Sequence, residues 1–263
     1  MPRVRCWQVD AFADRPFAGN PAAVCWLEQE ADAAWMQAVA AELNLSETAF
    51  ARPLGDMLEL RWFTPTVEVD LCGHATLATA HALWTSGVVD CSPLRFRSRS
   101  GVLTCTRTGG WIELDFPALP VAACEPRREL LAALGVAEPL FVGRSRFDDF
   151  VVLRSAGDVR EVLPDYRRLA GLTTRGVIVT ARSDDSRYDF VSRFFAPAVG
   201  VDEDPVCGSA HCSLTPYWAE RLGKPQLQAY QASARGGVLR LRTSGDRVAL
   251  GGQAVTVWQG ELL

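Results

Sequence analysis

The 263-residue sequence predicts an α/β (α+β) protein of two similar domains related by a pseudo-twofold, each a curved sheet holding one buried helix. Three observations lead there. An apolar fraction of 48% in a chain of this length is enough for two ordinary cores. The halves repeat one another: "LRWFTPTVEVDLCGHATLATAHALWTSG" aligns with "VSRFFAPAVGVDEDPVCGSAHCSLTPYWAERLG", pairing Arg61 with Arg193, Phe63 with Phe195, Pro65 with Pro197 and Gly73 with Gly208. Downstream, Gly101-Val102-Leu103 matches Gly237-Val238-Leu239. A repeat this long implies two copies of one domain plan rather than a solenoid. The third observation is "GHATLATAHALWTSG", whose Ala, Leu and Trp occupy nearly every helical face, the mark of a buried helix.

The remaining elements follow in order. "RCWQVDAF", "ETAFARP", "LELRWFTP", "LRFRSRSG", "VLTCTRTG" and "WIELDF" are short runs rich in β-branched and aromatic residues, punctuated by Gly, Pro and Asp, and read as strands. "DAAWMQAVAAEL" reads as a surface helix capped by its Asp. Gly87 ends the first buried helix, and Pro216 is expected to interrupt the second. "VAACEPRR" reads as the linker, giving domains 1–120 and 121–263, with a C-terminal strand able to pack on the first.

Composition narrows the function. A net charge of −4, a pI near 5.5 and scattered basic residues give no footprint for nucleic acid, so a small molecule is the expected partner. The N-terminal stretch lacks a signal-peptide core, and no window approaches the roughly 20 apolar residues of a membrane span. A cytoplasmic location is the expectation. Eight cysteines without a CxxC pair read as reduced thiols, mostly core residues.

Chemistry is expected where the two buried helices begin, at Cys72-Gly73-His74 and Cys207-Gly208-Ser209. First-turn N–H groups are unpaired and together carry roughly half a positive charge. Gly73 and Gly208 let a ligand approach that backbone, which suits a carboxylate; each glycine alone would equally serve a tight turn. The duplication favours two turns facing each other across an active site. In "LNLSETAF", Glu47 precedes an apolar strand, where partial desolvation would raise it into the range of a proton-transfer group. From that octapeptide alone, an exposed strand end or a capping partner is the stronger reading. His74 is expected to be kept neutral by the helix dipole, as a donor or relay, or to be a satisfied core histidine. Asp204 precedes the stiffening Pro205, Asp202 and Glu203 read as solvated, Ser209 could cap its helix, and His81 and His211 read as structural. No HExxH, paired CxxC, phosphate loop or GxSxG elbow is present.

"VDAFADRPFAGNPAAV", "LNLSETAF", "RWFTPTVEVDLCGHATLA" and "FFAPAVGVDEDPVCGSAHCSL" together resemble, in order and over nearly the whole chain, the PhzF phenazine-biosynthesis family of isomerases. That family is similar in fold to diaminopimelate epimerase and proline racemase. The resemblance implies that each domain is a mixed β-barrel around a central helix, that the protein is a homodimer, and that no cofactor or metal takes part. It implies that Glu47 moves a proton between carbons of a small carboxylate-bearing substrate, supported by His74, Asp204 and Ser209. The backbone of Gly73 and Gly208 would bind the substrate carboxylate, and Asn20 would line the site.

One departure bears on mechanism. Members of the family usually carry Thr where this chain has Cys207, opposite Cys72. Paired cysteines at two helix starts are the pattern of the epimerases and racemases, and helix N-termini lower thiol pKa values. A two-thiol racemase is therefore the second expectation behind Glu47-dependent isomerisation. A non-catalytic small-acid binding protein is the third.

Overall fold

The computed structural model describes residues 3–263. The chain forms two compact units: residues up to Asp115 together with Gly251–Leu263, and Phe116–Leu250. "VAACEPRR" lies inside the second unit, where Ala122 and Ala123 pair with Arg144 and Gly143.

In the first unit, β1 (Val4–Ala11) runs antiparallel to β2 (Asn20–Trp26) on one side and to the C-terminal β17 (Ala254–Leu262) on the other. Helix α1 (Ala33–Leu43) returns the chain so that β3 (Glu47–Leu54) lies parallel to β2. Asp32 caps α1 by accepting from Ala34 and Trp35 N–H at 2.8 and 3.3 Å. Met36 and Ala40 of that helix pack on Cys6, Cys25, Phe50 and Phe63. β4 (Met57–Phe63) is antiparallel to β3, and the short β5 (Glu68–Val69) leads into α2 (Gly73–Thr85). That helix is the crossover to β6 (Leu94–Ser98), parallel to β4, which β7 (Gly101–Thr108) and β8 (Trp111–Pro117) extend as a meander.

α2 packs against β1, β2, β3 and β17, and every side chain from His74 to Ala80 is buried. Small Ala and Thr residues let the sheet approach on all sides. The hydroxyls of Thr76 and Thr79 are satisfied within the helix, by Cys72 O at 2.6 Å and Ala75 O at 2.7 Å.

The second unit repeats the connectivity. Its strands are β9 (Ala122–Ala123), β10 (Phe141–Arg144), β11 (Asp148–Val152), β12 (Gly176–Arg182), β13 (Phe190–Phe195), β14 (Gln226–Gln231), β15 (Gly237–Ser244) and β16 (Arg247–Gly252). Its helices are α3 (Arg128–Leu134), α4 (Ala156–Glu161), α5 (Tyr166–Ala170) and α6 (Gly208–Leu222). β11 and β12 are parallel around α4 and α5, β12 and β13 antiparallel, and β13 and β14 parallel around α6. This is the succession seen for β2, β3, β4 and β6.

Pro216 does not interrupt α6. A proline leaves the carbonyl four residues earlier without its helical donor. Here that carbonyl, on Cys212, accepts from the Leu119 backbone N–H at 3.0 Å, so the helix continues.

Packing around α2 leaves no spare volume at Gly252, where an added Cβ would lie 2.4 Å from Phe12 Cδ1 and 2.7 Å from Leu77 Cδ1. Gly252→Ala is expected to cost about 1–3 kcal/mol, the usual range for overpacking a filled core. It should appear as a lower denaturation midpoint at unchanged slope; an unchanged midpoint would show that Phe12 and Leu77 yield freely.

Candidate active site

In the first unit, Asn20 opens β2, Glu47 opens the parallel β3, and His74 is the second residue of α2. The "PFAGN" loop delivers Asn20 in a strained turn: Phe17 has φ 67°, its N–H bonded to Asp10 Oδ2 at 2.7 Å. Gly19 has φ 65°, and a Cβ there would strike Ala11 O at 2.1 Å, so only glycine fits. Asn20 Nδ2 lies 3.1 Å from His74 Nδ1, and Ser46 Oγ donates to Asn20 Oδ1 at 3.5 Å. His74 Nε2 is 3.1 Å from Glu47 Oε2. Oε2 is shielded from solvent, and apart from this contact with His74 it has no hydrogen-bond partner among the described residues.

Cys72 Sγ sits 3.5 Å from His74 Nδ1 and 3.9 Å from Nε2. Burial, then the charge of Glu47, raises the Cys72 thiol against the opposing pull of His74. Burial, then Asp204, raises Cys207 well above the ordinary thiol value, with Arg175 opposing. The expectation of helix-lowered thiols is thus overturned at both turns: desolvating a thiolate outweighs the partial charge of a helix end. His74 also departs from its expected neutrality. Burial pulls it down, but Cys72 and Glu47 together raise it well above 6.5. The Asn20 amide can present nitrogen to the neutral ring or oxygen to the imidazolium.

In the second unit, Cys207 precedes α6 without capping it, and the Cys207 N–H is taken by Gln231 Oε1 at 2.9 Å. Gln231, fully buried, returns its Nε2 to Asp204 O at 2.6 Å, bracing the turn from both ends. Asp204 Oδ1 accepts from Val206 N–H at 3.1 Å. Ser209 does not cap the helix; its Oγ accepts from Arg175 Nη2 at 2.7 Å and lies 3.8 Å from Cys207 Sγ. Glu203 is not solvated: its carboxylate forms a bidentate pair with Arg193 at 2.7 and 2.8 Å.

Asn20, Glu47, Cys72, Gly73 and His74 therefore converge in one unit, and Asp204, Cys207, Gly208 and Ser209 in the other. Gln231, Arg175 and Asp148 were not legible as site residues, because each reaches its turn from a distant segment. Glu47, Cys72 and His74 offer one donor atom each within 4.8 Å of one another, the set through which a soft divalent ion would be held. Among the described residues no helix is long and apolar enough to cross a membrane.

The profile of the phenazine biosynthesis-like (PhzC-PhzF) family matches residues 9–260. An uncharacterized isomerase of Halalkalibacterium halodurans is 53% identical over 257 residues, covering 97% of each chain. One from Pseudomonas aeruginosa is 52% identical over 258 residues, again covering 97% of both. The crystal structure of a PhzF-family phenazine biosynthesis protein from Enterococcus faecalis superposes with a TM-score of 0.95 at 45% identity over 99% of each chain. A hydroxyproline epimerase from Agrobacterium vitis, at 9% identity, has a TM-score of 0.62 over 99% of this chain and 92% of its own, a likeness of fold alone. The architecture is the mixed α/β, diaminopimelate epimerase-like fold, and the protein is an isomerase. The chain belongs to the phenazine biosynthesis-like family.

The chain has three histidines. Their titrations should separate by NMR: His211 near 4 and His81 lowered, both by burial, and His74 above 6.5. The linked effects on stability have opposite signs. The His211 contribution is present above pH 6.5 and falls away as pH drops toward 4. The His74 contribution is present below pH 6.5 and disappears as pH rises through its folded value. Glu47→Gln should lower the His74 midpoint; an unmoved midpoint would show that the carboxylate is not what holds the proton.

Proposed function

We propose that the protein is a PhzF-like isomerase in which Glu47 is the general acid/base, moving a proton between carbons of a small carboxylate-bearing substrate. The observation that carries this is the Glu47 Oε2 atom, shielded from water, with no partner among the described residues apart from the His74 ring 3.1 Å away, which Asn20 holds in place. A carboxylate so placed has a lone pair uncommitted to the protein. When it removes a proton from carbon, negative charge passes from Glu47 to the substrate, and a protonated His74 beside it remains paired with that charge throughout. Each helix start, at Gly73 and at Gly208, offers first-turn N–H groups to a substrate carboxylate. Asp204 and Ser209 add polar groups at the second of these starts. The chemistry needs only these side chains.

The two-thiol alternative requires one cysteine to rest as a thiolate, which burial of Cys72 and Cys207 disfavours by raising both thiols, so Glu47 is the better-supported base. The binding-only alternative has no support from relatives named as isomerases.

The test is deuterium uptake from D₂O, followed by mass, across a panel of unsaturated, hydroxy and amino carboxylic acids. Glu47→Gln should lower exchange at least about 10²-fold, the low end for losing a general acid/base. Cys72→Ala and Cys207→Ala should each retain it. Exchange kept in Glu47→Gln and abolished in the cysteine variants would transfer the reaction to the thiols.

A further inference from the structure

Arg175 immediately precedes β12 and is anchored by Asp148, the first residue of β11, whose side chain is fully buried. The pair is bidentate: Nε to Oδ1 at 2.8 Å and Nη2 to Oδ2 at 2.5 Å. Asp148 is itself held in a tight turn, its N–H donating to Ser145 Oγ at 3.2 Å and its carbonyl accepting from Ser145 N–H at 2.9 Å. The guanidinium lies 5.1 Å from the Phe147 ring and 5.7 Å from that of Phe194. The neighbouring Gly176 makes room for Phe194, since a Cβ there would lie 2.4 Å from its Cζ. An arginine fixed at both edges and flanked by two rings has little freedom left. Its second Nη2 proton goes to Ser209 Oγ at 2.7 Å, while the side chain keeps 35% of its surface exposed.

A serine oxygen that accepts from a guanidinium has one lone pair engaged, and its own proton remains for another acceptor. The cation behind it polarises the O–H bond. The arrangement is a counterpart of the catalytic cluster. In the first unit, the opening residue of one strand (Asn20), the opening residue of its parallel neighbour (Glu47) and the second residue of the helix (His74) meet. In the second, Asp148 opens one strand, Arg175 directly precedes its parallel neighbour, and Ser209 is the second residue of the helix.

We infer that Arg175 is a positioning residue that fixes Ser209 as a hydrogen-bond donor to the substrate carboxylate, so that the site selects a carboxylate anion over its neutral isosteres. This rests on the reading that places the substrate carboxylate at the start of α6. Arg175, through Ser209, sets which substrates bind, and Glu47 sets whether they react.

The test compares binding of cyclohex-1-ene-1-carboxylate and its carboxamide by calorimetry. Wild-type protein should favour the acid by about tenfold or more, the scale of one charge-assisted hydrogen bond. Ser209→Ala and Arg175→Lys should each bring the two ligands within about twofold, and combining them should add little, as expected for residues acting through one contact. Because removing Arg175 outright strands a buried Asp148, the charge-neutral pair Arg175→Met with Asp148→Asn provides a second route to the same measurement. Glu47→Gln should abolish exchange yet keep the acid preference, which separates failure of this inference from failure of the Glu47 assignment. A wild type without acid preference, or Arg175 variants that fold by circular dichroism and keep it, would overturn the inference.

Discussion

A helix with no solvent face is the constraint on which the rest of this structure depends. α2 is buried on all sides from His74 to Ala80, so the sheet must envelop it. Once enveloped, its first turn cannot drift relative to the strands around it. That is how Asn20, opening β2, and Glu47, opening β3, are each held 3.1 Å from His74, the second residue of α2. The same burial sets the electrostatics. It strips water from Cys72 and lifts its pKa although the thiol stands at a helix N-terminus. The carboxylate of Glu47 beside it, by nature the more acidic group, is the one ionised more readily, which is what the proposed role as base requires.

A second device holds the helix starts in place, and it is duplicated. Arg61 forms a bidentate pair with Glu68 at 2.7 and 2.8 Å, and its guanidinium lies 5.2 Å from the Phe63 ring. Arg193 pairs with Glu203 at the same two distances and lies 4.8 Å from Phe195. Each glutamate stands in the segment leading into a central helix, Glu68 in the short β5 and Glu203 in a loop, and each arginine on the strand before it. The pair ties loop to strand where a free loop would otherwise let the turn move. Arg193 adds bonds to the carbonyls of Val159, Arg160 and Val162, closing the C-terminal end of α4.

What could be read from sequence was what depends on neighbours along the chain. The Asp32 cap, the alternating strands and the all-round apolarity of α2 are local, and they appear where expected. Pro216 misled because the donor that repairs the helix, Leu119 N–H, comes from a distant segment. The thiols misled for a related reason: a helix terminus is visible in sequence, but the depth at which it is buried is not. In "LTTRGVIV", Arg175 has the look of a surface arginine before a strand. Its partners are 27 residues before it and 34 after it, separations at which no periodicity points. The signal lay in the strand pairing rather than in the sequence repeat: extending the repeat through the register, with Thr48 opposite Phe63 and Val177 opposite Phe195, brings the start of β12 onto the start of β3.

That extension shows what duplication has made of one geometry. Both copies keep a cysteine before the helix, a glycine opening it, and a polar residue second. The group that meets this second residue from the parallel strand pair has changed sign. Against His74 stands the carboxylate of Glu47, and the two can share a proton. Against Ser209 stands the guanidinium of Arg175, which has no proton to give up at any ordinary pH. The first arrangement is suited to moving a proton, the second to holding an anion, and neither needs a change in the backbone that supports it. Opposite charges on one repeated scaffold thus stand at two helix starts whose cysteine thiols are both raised by burial.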